Sequence, residues 1–353
     1  MGTYDTKRLD AKIDAYAAAE GFSGMIRVTR GDRVLYEKAV GYADVEKKTA
    51  FSRDSIFAFY SLSKPFCAIG LMKLVEAGKV DLAAHPSRYV PEARGFDERL
   101  SVHHLLTHTS GIPDFIQTED FFEKYKNESD ADMRPLLEKL CAYPAYFAPG
   151  EGAKYENSNF VISALIIENV SGMAYADYMR REIFLPLGMK TAAVVRPETV
   201  ISNCVSGHDK DGEGRLFVVP RAYWTYLGGG DMVGTVDDVY RLHVAIRDRL
   251  LLGDASWEKI LTPVSEKNRG YGCTLSVWHG KARITHNGGS AGFRTLHVQL
   301  PADDFGIILL SNAGFGDARE VLSEYIHECF YGEDGSPSER IEMDKGYIKE
   351  ITT

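Results

Sequence analysis

Residues 64–77, KPFCAIGLMKLVEA, are apolar on nearly every side of a helical wheel, and Gly78 stands where a C-cap would. A helix without a polar face has to be buried all round. The fold must therefore wrap other elements about this segment. The same helix carries Lys64 in its first turn toward an apolar interior, where a solvated lysine has no place. Pro65 suits a helix's first turn, so the spacing predicts a helix starting near Ser61, in FYSLSKPF.

Around that helix the patterning changes along the chain. Residues 7–20 read as an amphipathic helix with Leu9, Ile13, Tyr16 and Ala17 on one face. Met25–Arg30 and Arg33–Val40 read as strands of a hairpin turning at Gly31-Asp32. Residues 65–215 are dominated by helical patterns and loops. Short candidate strands follow at Tyr271–His279, Arg283–His286, Thr295–Leu300 and Gly306–Ser311, then a helix near Gly316–Phe330 and a polar stretch, GEDGSPSER. The order predicts an α/β (α+β) chain in which an antiparallel sheet is flanked by the N- and C-terminal helices, with a helical block inserted. The 353 residues exceed the roughly 250–300 at which one core stops growing. The expected division is 1–64 with 216–332 as one sub-domain, 65–215 as an all-helical one, and 333–353 as a tail. A site would then lie between the lobes.

Charge narrows the partners. Lys+Arg 41 against Asp+Glu 50 leaves −9, with no basic run, so a nucleic-acid partner is not expected. The cysteines, Cys67, Cys141, Cys204, Cys273 and Cys329, are odd in number and never CxxC, which excludes a disulfide framework and the usual cysteine zinc spacing. The opening MGTYDTKRLDAKIDAY has no apolar signal core, and no stretch reaches the ~20 apolar residues of a membrane span. As the sequence stands, these features predict a cytoplasmic protein without a span, with a trimmed secretory signal as the alternative. MGTYDT fits a loose N-myristoylation pattern, which permissive positions often match by chance.

Three short motifs carry chemistry, each with a plainer structural reading beside it. Ser61 and Lys64, at i and i+3, would share a helix face, placing an amine beside a hydroxyl that is a poor nucleophile until a neighbour takes its proton. The plainer reading is an N-capping serine and a solvated lysine. Tyr155-Glu156-Asn157 lies in a loop before a helix ending at Gly172. A tyrosine near an ammonium has a lowered pKa and can act as base or acid, and an asparagine amide can hold both a lysine and a substrate carbonyl. Alternatively Asn157 or Ser158 caps the helix and Tyr155 packs. His286-Asn287-Gly288-Gly289 ends a candidate strand, where glycines allow close approach of a ligand and a strand N–H could complete an oxyanion hole. The alternative is a hairpin turn through Asn287-Gly288.

Taken in order, SxxK, YxN and [K/H]xG resemble the serine β-lactamase and penicillin-binding-protein superfamily. The segments HLLTHTSGIPDF, FAPGEGAKYENSNF, IFLPLGMKTA, LGGGDMVGTVDDVYRL and HNGGSAGFRT look like its class C β-lactamase, DD-peptidase and esterase branch, over about residues 20 to 315. The resemblance implies a β-lactamase/transpeptidase-like fold and a covalent acyl-enzyme on Ser61. Lys64 would shuttle the serine's proton and Tyr155 would be the general base that later activates water. Asn157 would position the substrate, and the N–H groups of Ser61 and Gly289 would form the oxyanion hole. His286 would line the strand edge. It stands where many relatives carry a lysine that holds a substrate carboxylate, a departure that favours the esterase and D-amino-acid peptidase branches. The expected substrates are small esters, amides or peptides, without cofactor or metal. An acyltransferase using the same acyl-enzyme and a non-hydrolytic penicillin-binding protein are the alternatives.

Other patterns carry less. GGSAG around Ser290 fits a nucleophile elbow, but too little chain follows for the rest of that fold. His103, His104 and His108 lack the glutamate of a zinc helix, and DKDGEG at 209–214 lacks the closing glutamate of a calcium loop.

Overall fold

The structure is a computed structural model that describes residues 4–118, 132–196, 201–219, 227–290 and 292–332. The polar tail and the first residues of MGTYDT lie outside the described residues.

The apolar helix is the hub. Helix α1 (Thr6–Glu20), strands β1 (Gly24–Arg30) and β2 (Arg33–Val40) and helix α2 (Lys64–Glu76) follow the expected order. Every residue of α2 from Lys64 to Met72 is buried. It packs against α3 (Ser158–Ser171), which is equally apolar and ends at Gly172 in the left-handed region. Downstream come α4 (Val236–Arg247), β3 (Thr274–Trp278), β4 (Lys281–Ser290), β5 (Phe293–Leu300), β6 (Phe305–Ser311) and α5 (Ala318–Tyr331). The strands form one six-stranded antiparallel sheet in the order β2-β1-β6-β5-β4-β3.

Alternation along the strands divides two cores. On the outer face Ile26, Val28, Val298, Ile307 and Leu309 meet Leu9 and Ile13 of α1 and Leu322 and Ile326 of α5. On the inner face Met25, Ile284, Ile308 and Leu310 join the larger core with α2, α3 and α4. Strand β6 is buried on both faces, which explains its unbroken run FGIILLS. Among the described residues no single helix is long and apolar enough to cross a membrane; the apolar pair 158–171 and 175–187 bends by 81°.

The sequence reading missed some elements. Helix α4 begins in a capping box, with the Thr235 side chain accepting from the Asp238 N–H and Asp238 accepting from the Thr235 N–H. The short strands Phe57–Ala58, Ala193–Val194 and Met232–Gly234 form a small sheet behind the SxxK turn. Residues 193–194 and 208–210 put strand within the stretch expected to be all helical.

The more consequential difference concerns β4. It does not turn at Asn287-Gly288 but runs straight through both glycines to Ser290. Its pairing with β3 stops at Thr285, so residues 286–290 extend past the end of β3 along one edge. Gly288 permits the approach of the SxxK turn: a Cβ there would stand 2.2 Å from the Phe59 carbonyl oxygen. Gly288→Ala is expected to destabilise the protein by about 1–3 kcal/mol, as overpacking does, and to depress turnover by displacing that turn. Gly280→Ala, at the open β3–β4 turn with φ +74°, is expected to cost about 1–2 kcal/mol with turnover unchanged. Denaturant unfolding together with ester hydrolysis checks both.

Candidate active site

The SxxK turn is a 3₁₀ segment, Tyr60–Ser63, that runs into α2 with Pro65 in the first turn. Tyr60 has φ +48°, a left-handed conformation that is rare for a bulky residue, directly before Ser61. Its ring lies 5.9 Å from that of Phe293, and its hydroxyl bonds to Ser290. Packing against the β4–β5 turn thus holds the strained residue that aims Ser61. Ser61 itself is half-buried.

Lys64 is fully buried, and its Nζ meets three oxygens: Ser61 Oγ at 3.0 Å, Asn157 Oδ1 at 2.9 Å and the Gly229 carbonyl at 2.7 Å. Burial pushes its pKa down to about 7, although the charge of Asp114 pulls upward. The partner set has a consequence. A neutral amine has two N–H donors and one lone pair. The Gly229 carbonyl and Asn157 Oδ1 can only accept, so they take both donors. The lone pair is left for Ser61, whose hydroxyl can donate to it.

Asp114 fixes the asparagine in that role. Its Oδ2 accepts from Asn157 N at 3.2 Å and from Asn157 Nδ2 at 3.0 Å. This turns the amide nitrogen away from Lys64 and its oxygen toward it. Asn157 makes no side-chain cap on α3. Ser158 makes none either; its hydroxyl accepts from Phe115 N and donates to the Pro113 carbonyl. Behind them Glu156 is buried against Asp114 and pairs with Lys154 at 2.7 Å. Burial raises both carboxyls of this pair. Gly229 is presented by a tight turn in which Gly228, at φ +70°, donates its N–H to Asp231 Oδ2 at 2.8 Å. A Cβ on Gly228 would stand 2.7 Å from the Phe160 carbonyl.

Tyr155 buries its hydroxyl while leaving part of its ring exposed, and the phenol interacts with Ser61. Its ring lies 4.7 Å from Lys64 Nζ and stacks on His108 at 4.5 Å. The expectation of a depressed phenol fails here. Burial raises its pKa, outweighing the opposite pull of Ser61 and Arg269. At neutral pH the phenol keeps its proton and is equipped to donate it.

His286 is buried on the inner face of β4, with its ring 6.4 Å from Tyr155. Burial and the nearby Lys64 hold it down at about 3, so it is neutral. Its Nδ1 lies 2.6 Å from the Asn287 carbonyl and must donate, leaving Nε2 as an acceptor. The permanent positive charge near Tyr155 comes from Arg269, 5.5 Å from its ring, which the sequence reading did not single out. Gly289 lies on the overhang of β4, one residue past the contact of Gly288 with Phe59. The structure therefore brings Ser61, Lys64, Tyr155 and Asn157 into direct contact, with His286 and Gly289 on the adjacent strand.

The remaining candidates have structural partners. His103 bonds to the Tyr271 hydroxyl at 2.7 Å, and His104 closes a capping box with Ser101. His108 accepts from Glu156 N through Nδ1. Asp211 in DKDGEG accepts from the Glu213 and Arg215 N–H groups in a hairpin turn.

The Beta-lactamase family model matches residues 9–328. The chain belongs to that family. It is 32% identical to penicillin-binding protein 4* of Bacillus subtilis over 87% of this chain and 71% of that protein. It is 30% identical to esterase EstB of Burkholderia gladioli over 68% of this chain and 69% of that one. The structure of an octameric penicillin-binding protein homologue from Pyrococcus abyssi superposes with TM-score 0.82 at 26% identity, covering 93% of this chain and 78% of the other. Family membership makes this chain a serine hydrolase of β-lactamase/transpeptidase-like fold.

Because Lys64 accepts a proton only when neutral, kcat/KM should rise with pH through about 7 and fall below it. Asp114→Asn removes a negative charge that raises Lys64, so the acidic limb should move to lower pH while the maximal rate falls. A pH–rate profile of both proteins reads the two effects; an unmoved limb in the variant would contradict the assignment to Lys64.

Proposed function

We propose that this serine hydrolase uses Ser61 as its nucleophile and Lys64 as the base that activates it. The observation that carries the reading is the lone pair of Lys64, left facing Ser61 after Asn157 and Gly229 have taken the amine's two donors. Ser61 Oγ bonds to the acyl carbon as its proton passes to Lys64. The N–H groups of Ser61 and Gly289 hold the resulting oxyanion. The bond to the leaving alcohol or amine then breaks. That group takes the proton of Tyr155, which Lys64 restores. Water repeats the sequence on the acyl-enzyme.

The substrates we propose are small esters and amides. The esterase relative supports the first and the penicillin-binding relative the second. Neutral His286 leaves the strand edge without a cation of its own, which suits uncharged esters. A second reading, an enzyme for D-amino-acid peptides or a penicillin-binding protein, draws on Arg269, whose permanent charge near Tyr155 suits a substrate carboxylate.

One experiment separates these. Wild type, Ser61→Ala and Lys64→Ala are incubated with a chromogenic ester, penicillin and a D-Ala-D-Ala peptide, then followed by turnover and intact mass. Ester turnover that Ser61→Ala abolishes and Lys64→Ala lowers by at least ~10²-fold is expected. Persistent penicillin adduct without ester turnover favours the second reading. Turnover retained in Ser61→Ala overturns both.

A further inference from the structure

A buried arginine ties the N-terminus of α5 to β4. Arg319 donates from Nε and Nη2 to the two carboxylate oxygens of Asp317, both at 2.7 Å, and from Nη1 to the Gly288 carbonyl at 3.1 Å. Only 6% of the residue is exposed. Asp317 is itself fixed, because its side chain caps α5 by accepting from the Arg319 N–H. The guanidinium is thus held flat by a bidentate pair, with one edge pressed on one backbone oxygen of β4.

That oxygen belongs to the peptide linking Gly288 to Gly289. In a trans peptide the C=O and N–H point in opposite directions, and the described backbone contains no cis bond. Whatever holds the Gly288 oxygen on one side sets the direction of the Gly289 N–H on the other. A cation on the carbonyl also draws electron density toward the oxygen and makes the N–H a stronger donor. The ladder with β5, in which Gly288 faces Thr295 and Gly289 faces Arg294, runs through this peptide, and Arg319 adds a charged donor on its oxygen. The opposite side of Gly288 cannot restrain its oxygen through a side chain of its own; it lies flush against Phe59 O and Leu62 N. Neighbouring Arg294 donates to the Ser290 and Phe293 carbonyls, steadying the turn but not this peptide.

We propose that Arg319, braced by Asp317, is a positioning residue that orients and polarises the Gly288–Gly289 peptide so that the Gly289 N–H serves as an oxyanion-hole donor. This rests on the acyl-enzyme reading above. Arg319 never touches substrate in this scheme. Its guanidinium donates to the Asp317 carboxylate and to the Gly288 carbonyl, contacts that join the α5 cap to β4.

The test compares wild type with Arg319→Gln, Arg319→Lys and Asp317→Asn. Three quantities are measured: kcat and KM for a neutral ester, affinity for a boronic acid that forms a tetrahedral adduct on Ser61, and the unfolding midpoint. Labelling of wild-type Ser61 by a fluorophosphonate comes first. Its failure would refute the acyl-enzyme reading, whereas failure of the present inference leaves wild-type labelling intact. In Arg319→Gln, kcat should fall at least about tenfold with KM little changed, short of the ~10²–10³-fold cost of losing a whole donor. Boronate affinity should fall by the same factor as kcat/KM. Arg319→Lys should recover part of both, since it keeps the charge and loses the brace, and Asp317→Asn should lose part of both. A purely structural role would lower the unfolding midpoint without this matched loss. If Arg319→Gln does not fold, Arg319→Lys and Asp317→Asn carry the test alone. Unchanged kcat and boronate affinity in the folded variants would overturn the proposal. So would a raised KM with kcat kept, which would mark Arg319 as a substrate contact.

Discussion

The site turns on one buried amine with more acceptors around it than it has protons to give. Taking an ammonium out of water is costly, and the hydrogen-bond partners of Lys64 among the described residues are two carbonyl-type oxygens and a hydroxyl. The interior therefore brings the amine's pKa down to about 7, so the neutral form is well populated at neutral pH. Once neutral, the amine has no choice of orientation, since the two oxygens that cannot donate must be served first. A serine that would otherwise be a weak nucleophile is left with a base 3.0 Å away.

Much of the architecture can be understood as holding those acceptors in place. Helix α2 buries the lysine because it has no polar face. Helix α3, equally apolar, brings Asn157 to its start, and Asp114 settles which end of that amide meets the lysine. The glycine turn before Met232 delivers a bare carbonyl from a third direction. The sheet supplies the other half of the site. The inner face of β4 presses on the SxxK turn, and its last residues run beyond β3. Helix α5 reaches the same strand from the outer face through Arg319. The two cores are thus coupled to the two sides of one reaction centre.

The outer sheet was legible because its strands alternate or run fully apolar between clear turns, and the flanking helices have a single apolar face. The burial of α2 was legible for the opposite reason, the lack of any polar face. Ser61, Lys64, Tyr155 and Asn157 could be named from short motifs, but their wiring could not. Asp114 is one aspartate between Pro113 and Phe115, and only the fold shows that it meets Asn157 from 43 positions away in the chain. Arg269 and Arg319 sit in stretches with no distinguishing pattern. The Tyr155 phenol is raised, not lowered, because burial, which a motif does not reveal, outweighs nearby positive charge. Asn157-Ser158 was open to reading as a helix cap, and Asn287-Gly288 as a hairpin turn, because local preference is blind to a partner strand or lysine. Helix α4 carries its own start signal in Thr235 and Asp238, but it lies among short strand-like runs.

Neutron diffraction from deuterated crystals held above pH 8 addresses the amine directly, since it reveals where the exchangeable hydrogens sit. The account requires two deuterons on Lys64 Nζ, one toward Asn157 Oδ1 and one toward the Gly229 carbonyl, with the Ser61 deuteron lying on Oγ and aimed at Nζ. Three deuterons on Nζ at that pH, one of them directed at Ser61, would contradict it.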